Sequence, residues 1–307
     1  MKESYAIETR HLTKRYGEQV AVNDVCLHVP KGHIYGLLGR NGAGKTSIMK
    51  LILQLMPATS GETLLFGEPV KRRERSVFQR IGAIIETPGF YPNLTGTENL
   101  EIFAKLRGTI RPDAVEHALQ VVGLPYKDKK LFGEYSLGMK QRLGIGLALV
   151  GEPDLLILDE PINGLDPQGI AEVRDTIQRL QKERNMTICI SSHILEELSK
   201  IATDYGIIHN GSLLQELTRE ELMRRCSERM ELTLADPKLA IPVLDAMGFT
   251  NYQVTDKEHI HIFERLNESA TLNMELAKAG IPVKGLSITS EELETYFLNL
   301  TGGASHA

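Results

Sequence analysis

Cysteine is scarce in this chain: Cys26, Cys189 and Cys226 stand far apart, at none of the short spacings that build a metal site. Three is an odd number of thiols, which argues against a secreted disulfide framework and fits a reducing cytoplasm. Long apolar runs are also missing. No stretch of about 18 apolar residues occurs, so no direct membrane span is expected. The longest apolar run, Leu143–Gly151, suits a buried helix instead. The first residues, MKESYAIETR, lack the apolar segment of a secretory signal. Nor is there an excess of positive charge. A formal charge of −5 and a pI near 6.0 argue against general binding to nucleic acid or an anionic membrane. What is left is a globular protein of 307 residues, enough for one large domain or two unequal ones.

Periodicity divides the chain. Tyr5–Arg10 and Val20–Val29 read as strands around a turn at Gly17, and Ile34–Leu38 as a short apolar strand. Lys45–Met56 carries helical apolar spacing at Ile48, Met49, Ile52, Leu55 and Met56. Ile81–Ile85 is a strand, and residues 88–150 turn mainly helical at Thr97–Arg107, Pro112–Val122 and Met139–Val150. Strands resume at Leu155–Leu158, Thr187–Ser191 and Tyr205–His209, alternating with helices at Pro167–Lys182 and Ile194–Ala202. That alternation predicts a mostly parallel α/β sheet carrying a helical insertion.

A second unit follows the charged segment Arg224–Met230, giving expected domains at 1–227 and 228–307. Its order is strand Glu231–Leu234, helix Pro237–Met247, strands Asn251–Thr255 and His259–Phe263, helix Leu266–Ala279 and strand Val283–Ile288. This βαββαβ order matches a small α+β ferredoxin-like unit. A last helix is expected at Ser290–Leu300, and the tail GGASHA is expected to be loose.

Chemistry enters with GRNGAGKT: Gly39, Arg40, Asn41, Gly42, Ala43, Gly44, Lys45 and Thr46, followed by Ser47. The pattern lies between a strand and a helix, where glycines let backbone N–H groups cradle phosphates at a helix N-terminus. Lys45 would reach the β- and γ-phosphates, and the Thr46 hydroxyl would hold Mg²⁺. The second motif, LLILDEP, is an apolar strand ending in two acids. Asp159 would support Mg²⁺ through its water shell, and Glu160 would polarise an attacking water. The third, YSLGMKQR, opens an apolar helix, so Ser136 and Gly138 form either a second anion site or an ordinary helix cap.

These motifs, with NGLD at Asn163–Asp166 and a strand ending in SSH, resemble in their order the ATP-binding subunits of ABC transporters. The resemblance covers about residues 4–225. It implies a P-loop ABC ATPase domain with a RecA-like core, an antiparallel β subdomain and a helical insertion. It also implies that Ser136, Leu137, Gly138 and Met139 occupy the signature position, which contacts the γ-phosphate held by a second ATPase subunit. Leu137 and Met139 depart from the usual glycine and glutamine there. By the same resemblance Asp166 belongs to the D-loop joining the two sites, His193 contacts the γ-phosphate and helps hold the attacking water, and Tyr16 stacks on adenine.

Glu86 stands where the family usually has glutamine, a residue that offers a neutral oxygen to Mg²⁺. That glutamate, the YSLGM signature, the segment ETPGFYPNLTGTENL and the C-terminal unit resemble the bacitracin-resistance and lantibiotic-immunity branch. The expected assembly is a homodimer of this chain bound to a separate transmembrane permease, peripheral on the inner face of the membrane. Its expected work is ATP hydrolysis coupled to export of a peptide antibiotic or other amphipathic compound. Two other readings stay open: an ABC ATPase acting without a membrane partner, and a regulatory subunit. One P-loop, no heptad run and no basic arm weigh against the first; intact Lys45, Asp159, Glu160 and His193 weigh against the second. In the second unit, His259 and His261 read as surface residues rather than metal ligands.

Overall fold

Short buried strands dominate the first half of the chain, and they separate into two sheets. The computed structural model describes residues 5–70, 76–86, 88–109, 111–290 and 292–301, so the tail GGASHA and Thr87 lie outside the described residues. The first sheet is antiparallel and is built from β1 (Tyr5–Tyr16), β2 (Gln19–Val25), β3 (His28–Pro30), β5 (Ser60–Leu65) and β6 (Glu68–Pro69). Strand β1 runs on past Arg10, and its pairing with β2 shifts register beyond Leu12. The run Val20–Val29 is two strands, β2 and β3. The strands β5 and β6 give little sequence signal because Ser60–Glu62 and Glu68–Pro69 are exposed.

The second sheet joins β4 (Ile34–Leu38), β7 (Ile81–Ile84), β8 (Leu155–Leu158), β9 (Thr187–Ser192), β10 (Asp204–His209) and β11 (Ser212–Thr218). Its order is β11-β10-β4-β9-β8-β7, parallel from β10 to β7 with β11 antiparallel at the edge. Every residue of β4, β8 and β9 is buried, as expected of a parallel sheet covered on both faces. Helices follow the strands: α1 (Lys45–Ile52), then α2 (Gly96–Arg107), α3 (Ala114–Val121) and α4 (Leu137–Leu149) of the helical insertion, then α5 (Pro167–Arg184) and α6 (Leu195–Ser199).

The helix starts are set locally. Thr95 and Glu98 form a reciprocal capping box at α2, while Ser136 and Asp166 cap α4 and α5. Buried Asn99 fixes the loop before α2: its side chain accepts from Tyr91 N–H at 2.8 Å and donates to Thr95 O at 2.9 Å.

The chain divides into two compact units between Arg219 and Glu220. That lies earlier than the break at residue 227 suggested by charge, because almost all of α7 (Arg219–Cys226) groups with the second unit. There, β12 (Arg229–Leu234), α8 (Ile241–Ala246), β13 (Tyr252–Val254), β14 (His259–Ile262), α9 (Ser269–Lys278), β15 (Val283–Thr289) and α10 (Leu293–Leu300) follow in turn. The sheet order β13-β14-β12-β15, antiparallel throughout, is that of a ferredoxin-like unit. Its core holds Leu232, Leu244, Phe249, Ile260 and Leu272. The expected helix Pro237–Met247 is interrupted: Pro242, which has no N–H, stands at the start of α8 after a separate short turn at Pro237–Leu239.

Candidate functional site

Four neighbouring parallel strands, β4, β9, β8 and β7, end at one edge of the sheet, and each delivers one part of the site. Strand β4 leads into the loop Gly39–Gly44, where Gly39 N–H donates to Ser192 O at 3.2 Å. A side chain at Gly39 would place its Cβ 2.7 Å from Ile208 O, so only glycine fits there. Gly44 has φ 108°, the left-handed region, directly before α1. The first N–H groups of α1 have no partner within the helix and carry the positive end of its dipole. Lys45 is buried, and its ammonium donates to Gly39 O at 2.6 Å while standing 3.1 Å from Glu160 Oε1.

Strand β8 ends in Asp159 and Glu160. Thr46 Oγ1 donates to Asp159 Oδ2 at 2.7 Å, which joins the P-loop helix to the acid. Ser191 in β9 donates to Asp159 Oδ1 at 2.6 Å and accepts from Glu160 N–H at 2.8 Å. One hydroxyl thus orders both acids. The motifs did not single it out, since Thr187 and Ser192 of the same buried strand carry hydroxyls too. Glu160 has a left-handed backbone (φ 48°), and its Oε2 meets His193 Nδ1 at 2.8 Å. Its Oε1 is buried and ion-paired with the Lys45 ammonium, with a lone pair left over to accept from water.

A cavity of about 600 Å³ opens on this edge, lined by Tyr16, the loop Asn41–Ser47 and Glu160. Gln19, Val20, Ala21, Asn210 and Gly211 complete its wall, and none of these was expected from the motifs. The volume lies in the range of small-molecule sites. Tyr16 is half exposed at the cavity, its hydroxyl 3.3 Å from Met56 Sδ. The adjacent oxygens of Thr46 and Asp159 are the hard donors that Mg²⁺ takes. Among the described residues no group of three or more His, Cys, Asp or Glu could cage a metal alone.

Glu86 follows the end of β7, with φ 65° and an exposed side chain. Its carboxylate is paired with Lys50 Nζ at 2.5 Å and is not joined to the Thr46–Asp159 set. Ser136 Oγ accepts from Met139 N–H at 3.2 Å as a helix cap, and Leu137 beside it is half exposed. A Cβ added at Gly138 would lie 3.7 Å from Gly169 Cα in the first turn of α5. Asp166 Oδ1 accepts from Gly169 N–H at 2.9 Å, so the signature segment and Asp166 meet at one place. Among the described residues, no hydrogen bond or ion pair links that place to the P-loop of the same chain. In the second unit, His259 pairs with Asp256 at 2.8 Å and His261 stands 3.4 Å from Glu231, so each imidazole faces a different carboxylate.

Comparison with known proteins agrees with this geometry. The family described as ABC transporter matches residues 22–163. The chain is 49% identical to the bacitracin transport ATP-binding protein of Enterococcus faecalis, over 99% of this chain and 98% of that protein. It is 42% identical to a lantibiotic transport ATP-binding protein of Streptococcus pyogenes, over 68% of this chain and 90% of that one. Among solved structures, a dimeric bacterial ABC transporter cassette superimposes with a TM-score of 0.62, at 21% identity, covering 69% of this chain and 98% of its own.

Proposed function

Given that the chain belongs to the ABC transporter family, as an ATP-binding subunit that hydrolyses ATP, we propose that it powers export of a peptide antibiotic or similar amphipathic compound through a separate transmembrane permease. No described helix is long and apolar enough to cross a membrane, and in this reading the pathway for cargo lies in another chain. The relatives named for bacitracin and lantibiotic transport support this choice of cargo class.

In this reading Tyr16 stacks on the adenine, while the Gly39–Gly44 loop, Lys45 and Ser47 hold the phosphates. Thr46, and Asp159 through the ion's water shell, would hold Mg²⁺, which when bound would neutralise phosphate charge. Glu160 Oε1 accepts a hydrogen bond from the attacking water, and His193, fixed on Glu160 Oε2, steadies that carboxylate. Water oxygen bonds to the γ-phosphorus as the bond to the ADP oxygen breaks, and the water proton passes toward Glu160. Ser136 and Gly138 of a second copy supply a hydroxyl and helix N–H groups to the same γ-phosphate, with Asp166 between the two sites. Closure of that dimer would reach the permease, which holds the subunit on the inner face of the membrane, through the Asn99-bound loop after Glu86.

The observation that carries this reading is the buried Glu160 oxygen held 3.1 Å from the Lys45 ammonium at the wall of the nucleotide-sized cavity. The test is survival on a panel of peptide antibiotics of cells expressing the chain with a candidate permease. Wild type should protect and Glu160→Gln should not. Equal survival with both would sink the proposal.

A further inference from the structure

Lys50 has no part in the motifs and does not line the cavity, yet it stands on the same helix as Thr46, which does. It follows Thr46 by four positions on α1, so both side chains leave the same helix face. Glu86 comes off β7 beside Asp159: Asp159 N–H donates to Ile84 O at 2.9 Å, carrying the β7–β8 ladder to the point where both acids begin. The ammonium meets Glu86 Oε1 at 2.5 Å, and among the described residues no hydrogen bond reaches Glu86 Oε2. The bond to Glu86 holds the Lys50 pKa above its ordinary value, so the lysine stays charged.

We propose that Lys50 is a positioning residue whose charge makes Glu86 usable beside the phosphates: the pair is neutral, yet leaves Glu86 Oε2 free as an acceptor, and so does the work of a neutral amide oxygen. The proposal rests on the reading of the cavity as an ATP–Mg²⁺ site. Without Lys50, a bare carboxylate would face the γ-phosphate. The pair is exposed to solvent, so a water-like dielectric applies, and one unit repulsion at about 4 Å weakens binding about fivefold.

The test is equilibrium binding of fluorescent ATP and ADP analogues to the full chain with Mg²⁺ present, at low and high salt. Lys50→Met should weaken ATP about fivefold at low salt, affect ADP less and lose most of its effect at high salt. Lys50→Arg should match wild type. The decisive variant is Lys50→Met with Glu86→Gln, which should recover wild-type affinity because an amide needs no counter-charge. If that double variant stays as weak as Lys50→Met, or if Lys50→Met binds like wild type, the proposal is overturned. Thermal melts check folding, with Lys50→Gln in reserve should Lys50→Met not fold. Failure of wild type itself to bind ATP, or tight binding by Lys45→Ala, would instead strike at the reading of the cavity.

Discussion

The strands that end at Lys45, Asp159 and His193 begin beside another polar cavity, of about 330 Å³, walled by Gly32, Arg80, Asp154 and Thr187 among others. At that amino end the polar groups have found each other. Arg80 pairs with Asp154 at 2.6 Å and lies 3.8 Å above the Phe66 ring, and Gly32 N–H donates to Thr187 Oγ1 at 2.9 Å. Glu152 pairs with Arg111, and Arg184 meets His117. At the carboxyl end, a buried Glu160 oxygen meets the Lys45 ammonium at 3.1 Å but keeps room to accept from water, and the first N–H groups of α1 have no intrahelical partner. The difference shows what makes a polar hollow a site: donors and acceptors with bonding capacity that the chain does not itself fill.

The largest test of that contrast swaps one carboxylate oxygen for an amide at each end. Glu160→Gln should lower ATP turnover by about a hundredfold or more, the usual worth of a positioned base. ATP binding should persist, and the variant should collect as an ATP-bound dimer in size-exclusion chromatography. Asp154→Asn should stay within about twofold of wild type, as surface changes away from a site do. A comparable loss from both would erase the distinction between the two ends.

Ser191→Ala should have an intermediate effect. It removes one donor to Asp159 and one acceptor for Glu160 N–H, both part-buried just beyond the end of β8. Leaving such groups unpaired costs about 1–3 kcal/mol, so the urea midpoint should fall. Turnover should fall about tenfold if about 1.4 kcal/mol of that loss is felt at the transition state. Arg80→Met at the other end breaks an ion pair whose partners are each about half exposed. Its cost should be no more than about 1 kcal/mol in the same urea experiment, with turnover unchanged.

How much of this was legible before the structure differs between the parts in the same way. Leu155–Leu158 is a strand with the bounds its apolar run suggests, because a strand buried on both faces has no polar positions to blur it. The P-loop was legible because glycine, lysine and a hydroxyl must come at fixed offsets. Strands β5, β6 and β11 were not: they are partly exposed, and their exposed positions follow no apolar alternation. Ser191 and Lys50 were missed for another reason. Each meets a partner far along the chain, Asp159 and Glu86, which only the parallel pairing of β4, β9, β8 and β7 brings near.

Between the two ends, Cys189 in the middle of β9 allows the smallest test. Burial pushes its thiol up to about 12 from an ordinary 9.0, and Asp159 adds to the shift. The folded chain therefore holds the proton more tightly than the unfolded chain does. That stability is fully present below about pH 9 and is lost as pH rises toward about 12, where the folded thiol ionises. Urea midpoints compared at mildly acidic and alkaline pH should fall for wild type and fall less for Cys189→Ala. A thiol reagent at neutral pH should modify Cys26 and Cys226, both partly exposed, and spare Cys189 until the chain unfolds. Rapid labelling of Cys189 in the folded chain would mean that the sheet opens between its two ends, and the contrast drawn above would then not rest on a rigid divider.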